Sequence, residues 1–175
     1  KYPDTEIIIV GGGDDFDRLV SRIDEVNSAM GKKVAIATNA RTDINNFVAL
    51  GDIFVGVSRS ALEAMSAQKP VIIAGNEGYI GIFGKDKEDI SIKTNFCCRG
   101  CPMPDNDTLF FDICSIFDSE NYDEISKFNR QFILDNYSVE KMTDDYEASY
   151  KKLLSKNPFR KNDVLISGYY GFGNM

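Results

Sequence analysis

Four short apolar runs, each followed by a turn, leave this chain little choice of architecture. They are Glu6-Ile7-Ile8-Ile9-Val10, Val34-Ala35-Ile36-Ala37, residues 52–57, and Val71-Ile72-Ile73-Ala74. Near-continuous aliphatic runs fit strands buried on both faces, as in a parallel sheet. Between the first two, Phe16, Leu19, Val20, Ile23 and Val26 recur at helical spacing, so residues 15–30 are expected as a helix packed on the sheet. Asp14 is the expected cap and Asp17 sits in the first turn, where the helix dipole favours it. Gly31-Lys32-Lys33 ends that helix, and Thr42 or Asp43 opens a short one through Leu50. Right-handed β–α–β steps then give an α/β fold, a Rossmann-like parallel sheet with helices on both faces.

The most informative stretch is residues 51–83, GDIFVGVSRSALEAMSAQKPVIIAGNEGYIGIF. A strand runs into the polar turn Ser58-Arg59-Ser60, then into the helix formers Ala61-Leu62-Glu63-Ala64-Met65. Lys69-Pro70 stops the helix, a second strand follows, and Gly75-Asn76-Glu77-Gly78 turns the chain. A strand feeding a helix N-terminus presents free N–H groups and a positive dipole end, which is a natural anion site. Two readings of Glu63 stand side by side. Ser60-x-x-Glu63 fits a capping box, with the carboxylate reaching back to the N-cap amide; or the carboxylate serves a ligand. Arg59 is either a pyrophosphate partner or a solvated turn residue.

This stretch resembles the nucleotide-sugar-binding half of GT-B glycosyltransferases, the retaining group that transfers from nucleotide sugars. The resemblance spans about residues 2–156. It implies that Glu63 holds the donor ribose, and that Ser58, Arg59, Ser60 and Ala61 face the donor phosphates. It places the loop of Thr38 at the donor base and Gly12 beside the donor. Asn76, Glu77 and Gly78 would lie near the donor sugar. The family carries a further Glu eight positions before the ribose Glu; here that position is Val55. Glu77 is therefore the candidate for the catalytic acid. The implied donor is a UDP-sugar. The family's chemistry happens between two domains, and this chain lacks the N-terminal acceptor domain, so donor binding without turnover is expected.

Composition narrows the chemistry. The 175 residues amount to one domain's worth of chain, and Lys1 in place of Met reads as a piece cut from a longer protein. There is no histidine, which removes Ser-His-Asp and Cys-His catalysis and histidine metal sites. The net charge of −7 argues against a nucleic-acid or membrane-surface binder. No run reaches the roughly 18–20 apolar residues of a membrane span. A cytoplasmic location is expected, with peripheral membrane association open to the parent protein. Cys97-Cys98-Arg99-Gly100-Cys101 with a distant Cys114 lacks the paired spacing of a zinc site and reads as reduced thiols. No cofactor and no metal are expected.

Beyond the central stretch, residues 78–83 read as a loop and short strand over the site, 85–89 as a charged turn, and 91–96 as an irregular strand. Helices are expected over 107–117, 123–135 and 139–154. The last carries a stripe of Val139, Met142, Tyr146, Tyr150 and Leu153, read as core. Residues 157–162 read as a linker. Residues 163–175, with VLISGYYGFGN, resemble the start of polysaccharide pyruvyl transferases, which add a pyruvyl ketal to cell-wall sugars. The resemblance implies a parent in bacterial surface polysaccharide synthesis, a glycosyltransferase-like module followed by a pyruvyl transferase. Alternatively the strand at 164–167 fills an open sheet edge. Two other functions stand as alternatives: a degenerate scaffold for the pyruvyl transferase, or a sugar-nucleotide epimerase of GT-B fold, which the absence of histidine disfavours.

Overall fold

The structure is a computed structural model that describes residues 2–103 and 105–156. The readings made for residues 157–175, linker, strand and further domain alike, lie outside the described residues. The chain divides into two compact units, the first ending at Arg130 and the second starting at Gln131.

The first unit is α/β. Its order is β1 (Ile7–Val10), α1 (Phe16–Met30), β2 (Ala35–Thr38), α2 (Ile44–Leu50), β3 (Phe54–Gly56), α3 (Ser58–Ser66), β4 (Val71–Gly75) and β5 (Gly78–Ile82). A 3-10 turn (Lys85–Lys87), α4 (Glu88–Lys93) and α5 (Asn106–Asp118) follow. α6 (Tyr122–Tyr137) carries the chain into the second unit, which contains α7 (Val139–Lys156).

β1 and β2 pair in parallel, Ile7 opposite Ala35, and β3 and β4 pair in parallel, Phe54 opposite Val71. β5 returns antiparallel to β4 through the two-residue turn Asn76-Glu77. The core gathers on β4, where Val71, Ile72 and Ile73 are fully buried. Ala61, Ala64 and Met65 of α3 are equally buried, and the two alanines leave room for the helix to lie close on β3 and β4.

The sheet is written in two ladders. Residues of a parallel strand alternate between bonding one neighbour and turning to the other side. Ile7 N–H donates to Val34 O (2.9 Å) and Gly11 N–H to Thr38 O (3.1 Å), so Ile8 and Val10 turn away from β2. Phe54 N–H donates to Pro70 O (3.0 Å), so Val55 turns away from β4. Among the described residues these outward groups have no backbone partner. Ile7 is 55% exposed and Val55 42%, although parallel strands ordinarily bury both faces.

Several local expectations are corrected. Residues 91–96 do not form an irregular strand: they belong to α4 and the turn after it. Glu88 and Asp89 in its first turn and Lys93 in its last suit the helix dipole, and the Thr94 hydroxyl donates to Ile90 O (2.9 Å). Asp14 does not cap α1; the cap position is Asp15, without a side-chain cap bond, and Asp15 pairs with Arg18 instead. The α7 stripe is helical as expected but is not core. Val139, Met142, Tyr146, Tyr150 and Leu153 are all exposed, and nothing among the described residues covers them.

The turn from β3 into α3 is made at Ser58 with φ +56°, in the left-handed region. A side chain costs about 1–2 kcal/mol there, more than the roughly 0.5–1 kcal/mol of extra chain entropy a glycine gives up. Ser58→Gly is therefore expected to raise stability by about 0.5 kcal/mol, read as a small upward shift in Tm by circular dichroism. A fall in Tm would show that the hydroxyl itself holds the turn.

Candidate functional site

The candidate site is built where β3 and β4 end. Gly75 faces Val57 so closely that a Cβ on it would lie 2.7 Å from Val57 Cγ1. β3 reverses at Ser58 into α3, whose cap position is Val57, in extended conformation and without a side-chain cap bond. The capping-box reading of Ser60 and Glu63 is thereby corrected. The helix begins two residues before Ser60, and the Ser60 hydroxyl donates back to Val57 O (2.7 Å). Glu63 is exposed, and its carboxylate has no hydrogen bond or ion pair among the described residues.

The first N–H groups of α3 differ in their engagement. Ser58 N–H donates to Phe96 O (2.8 Å), and Ala61 N–H reaches Val57 O only at 3.5 Å. Those of Arg59 and Ser60 have no acceptor among the described residues. Arg59 is exposed and makes no ion pair there, although Glu63 stands four residues on, a spacing that permits one. The first two turns of α3 thus present two backbone donors, a cation and a carboxylate, none engaged among the described residues.

Glu77, in the β4–β5 turn, is engaged. Its Oε2 accepts from Arg99 Nε at 2.9 Å, and the pairing raises the Arg99 pKa above its ordinary value. Arg99 belongs to a loop with unusual backbone: Asn95, Phe96 and Cys98 all have φ between +52° and +61°. The loop packs on the β4–β5 hairpin. Cys98 Sγ donates to Ile73 O (3.7 Å), and burial, with Cys101 next, pushes the thiol up to about 11. Gly78 is buried beneath this loop, so its contribution is close backbone approach. Asn76 is exposed at the turn.

The loops after β1 and β2 meet each other: a Cβ on Gly12 would fall 2.4 Å from Asn39 Oδ1. The Thr38 hydroxyl donates to Asn39 O (3.3 Å). The structure therefore brings the candidates together in two groups. Gly12 and Thr38 stand at the end of one strand pair, and Ser58 to Glu63 with Asn76 to Gly78 at the end of the other.

The chain is similar in structure to a glycosyltransferase from Rickettsia africae ESF-5, known from its crystal structure. The superposition has a TM-score of 0.58, with 20% sequence identity, and covers 88% of this chain and 41% of that one. The fold is glycosyltransferase-like. This chain spans about two fifths of that glycosyltransferase's length. No family model matches the sequence, and no curated protein matches it.

Within this glycosyltransferase-like fold, sequence reasoning missed Arg99. The only signal was a basic residue in a cysteine–glycine loop, 22 residues from its partner. It also missed a separate cleft of about 480 Å³ lined by Tyr79, Ile82, Lys87, Thr108, Asp112 and Ile125. There Tyr79 donates to Asp112 Oδ2, and burial, then Asp112, pushes the phenol pKa up. None of the site residues anticipated from sequence lines that cleft. Among the described residues no helix is long and apolar enough to cross a membrane.

Proposed function

We propose that this chain is the nucleotide-sugar-binding half of a GT-B glycosyltransferase in bacterial cell-surface polysaccharide synthesis, with a UDP-sugar as donor. The observation that carries the reading is the unengaged set on α3. Glu63 accepts from the ribose hydroxyls, the N–H groups of Arg59 and Ser60 donate to the phosphates, and the Arg59 guanidinium adds charge. As the sugar departs, negative charge grows on the diphosphate leaving group, and fixed donors at a helix end stabilise it without reorganising. The acceptor is held by a domain outside this chain, so the proposed activity of the chain alone is donor binding. VLISGYYGFGN is the ground for proposing that the parent continues into a polysaccharide pyruvyl transferase.

A second reading has one observation in its favour. Val55 lies within β3, where the family carries an acid, and a module that binds donor without catalysis would tolerate that.

The test is calorimetric titration of UDP, GDP, ADP and CMP into the chain and into Glu63→Gln. UDP is expected to bind in the millimolar range, about 4 kcal/mol, and Glu63→Gln to weaken it about tenfold or more, by removing a charged hydrogen-bond acceptor. Because the Glu63 carboxylate has no partner among the described residues, Tm should be unchanged. Absence of binding by all four nucleotides to the unmodified chain would sink the proposal. Retained UDP binding with no glycosyl transfer by the full-length parent would favour the non-catalytic reading.

A further inference from the structure

We infer that Arg99 is a second phosphate-binding cation of this site and that Glu77 is its positioning residue. This rests on the reading of α3 as the donor-phosphate site.

The loop of Arg99 is fixed to that site at several points. Phe96 O accepts from the N–H of Ser58, the first residue of α3, and Cys98 Sγ reaches Ile73 O on β4. Cys98 and Cys101 lie over Gly78, with no room for a side chain between. Arg99 is thereby carried to the β4–β5 turn, where Glu77 takes its Nε and leaves both terminal nitrogens without a partner among the described residues. A guanidinium held from behind by Nε presents its outer edge as a two-pronged donor, the geometry that suits a phosphate. Its side chain is 75% exposed, so an anion has access to that edge.

An exposed ion pair adds little to stability, so Glu77–Arg99 is poorly explained as a fold-holding device. Charge points the same way. Glu63 and Glu77 set against Arg59 and Arg99 leave the site neutral. Without Arg99 it carries net negative charge and repels a diphosphate. Glu77, occupied by Arg99, acts on the ligand through the arginine, which replaces the catalytic role expected for it from sequence.

Titrations of UDP and of inorganic pyrophosphate separate the two halves of the ligand. They are to be run on the unmodified chain, Glu63→Gln, Arg99→Gln, Arg99→Lys, Glu77→Gln and the Glu77→Gln/Arg99→Gln double variant, with Tm followed throughout. Arg99→Gln is expected to weaken both ligands about tenfold, and Arg99→Lys to recover part of the loss. Glu63→Gln should weaken UDP alone. Glu77→Gln should weaken both ligands by a smaller factor, with no added effect when Arg99 is already replaced, since the two act as one unit. Unchanged affinity for both ligands in Arg99→Gln, with UDP weakened by Glu63→Gln, overturns the inference and leaves the donor site standing. If the unmodified chain binds neither ligand, the donor site falls and the inference falls with it.

Discussion

Phe83→Ala is expected to lower the unfolding free energy by about 4 kcal/mol, the usual cost of emptying a fully buried phenylalanine site. Phe83 follows β5 and is completely buried, and its N–H donates to Val71 O (2.8 Å). Its ring centroid lies 5.9 Å from that of Phe96 and 5.9 Å from that of Phe128. Losing two aromatic neighbours adds to the lost apolar burial. Urea denaturation measures the loss, and on heating it corresponds to roughly 8–16 °C in Tm. Phe111→Ala is the control: that ring is 67% exposed, and its replacement should stay within about 0.5 kcal/mol. The damage also has a direction. Phe96 both packs its ring at a tilt against Phe83 and accepts from Ser58 N–H, so faster exchange of the Ser58 amide should accompany the lost stability. An equal loss in both variants would mean that this aromatic cluster does not hold the first unit together.

Gly78→Ala is the second large effect, about 3 kcal/mol. Gly78 has φ +148°, where a side chain is strained by about 1 kcal/mol or more. An added Cβ would also lie 2.5 Å from Cys98 O and 2.9 Å from Cys101 O, which are backbone atoms that move only with the loop. Gly13→Ala separates the two causes. Its φ is +147°, almost the same, but nothing lies within 4 Å of the added carbon. The difference between the two variants, about 2 kcal/mol by thermal denaturation, is the overlap with the cysteine loop. Equal losses would show that the loop yields freely, and with it the fixed placement of Arg99.

What could be read in advance was what is local. β4 was legible because Val71-Ile72-Ile73 is a short β-branched run between Pro70 and Gly75, which fits a strand buried on both faces, and α3 because Ala61 to Met65 are good helix formers behind a polar turn. The segment after Lys87 misled because Ile90 and Ile92 alternate over too short a window, while the acids at its start and Lys93 at its end favour a helix. Ser60-x-x-Glu63 had the letters of a capping box. The left-handed turn at Ser58 then started the helix earlier and left Glu63 free. The stripe on α7 declared a helix with an apolar face, but periodicity does not say what covers that face. Glu77 with Arg99 was out of reach, because their meeting depends on a hairpin and a loop folding onto each other.

Among the described residues the outward edges of β1 and β3 have no strand partner, and an open edge is an adhesive line. Natural sheets guard such edges with lysine, proline or a bulge, and Ile7-Ile8-Ile9-Val10 and Phe54-Val55-Gly56 offer none of these. The shared net charge of −7 works against pairing of neighbouring copies. At physiological salt that repulsion is screened beyond about 8 Å. Dilute protein in low-salt buffer is therefore the colloidally safe preparation.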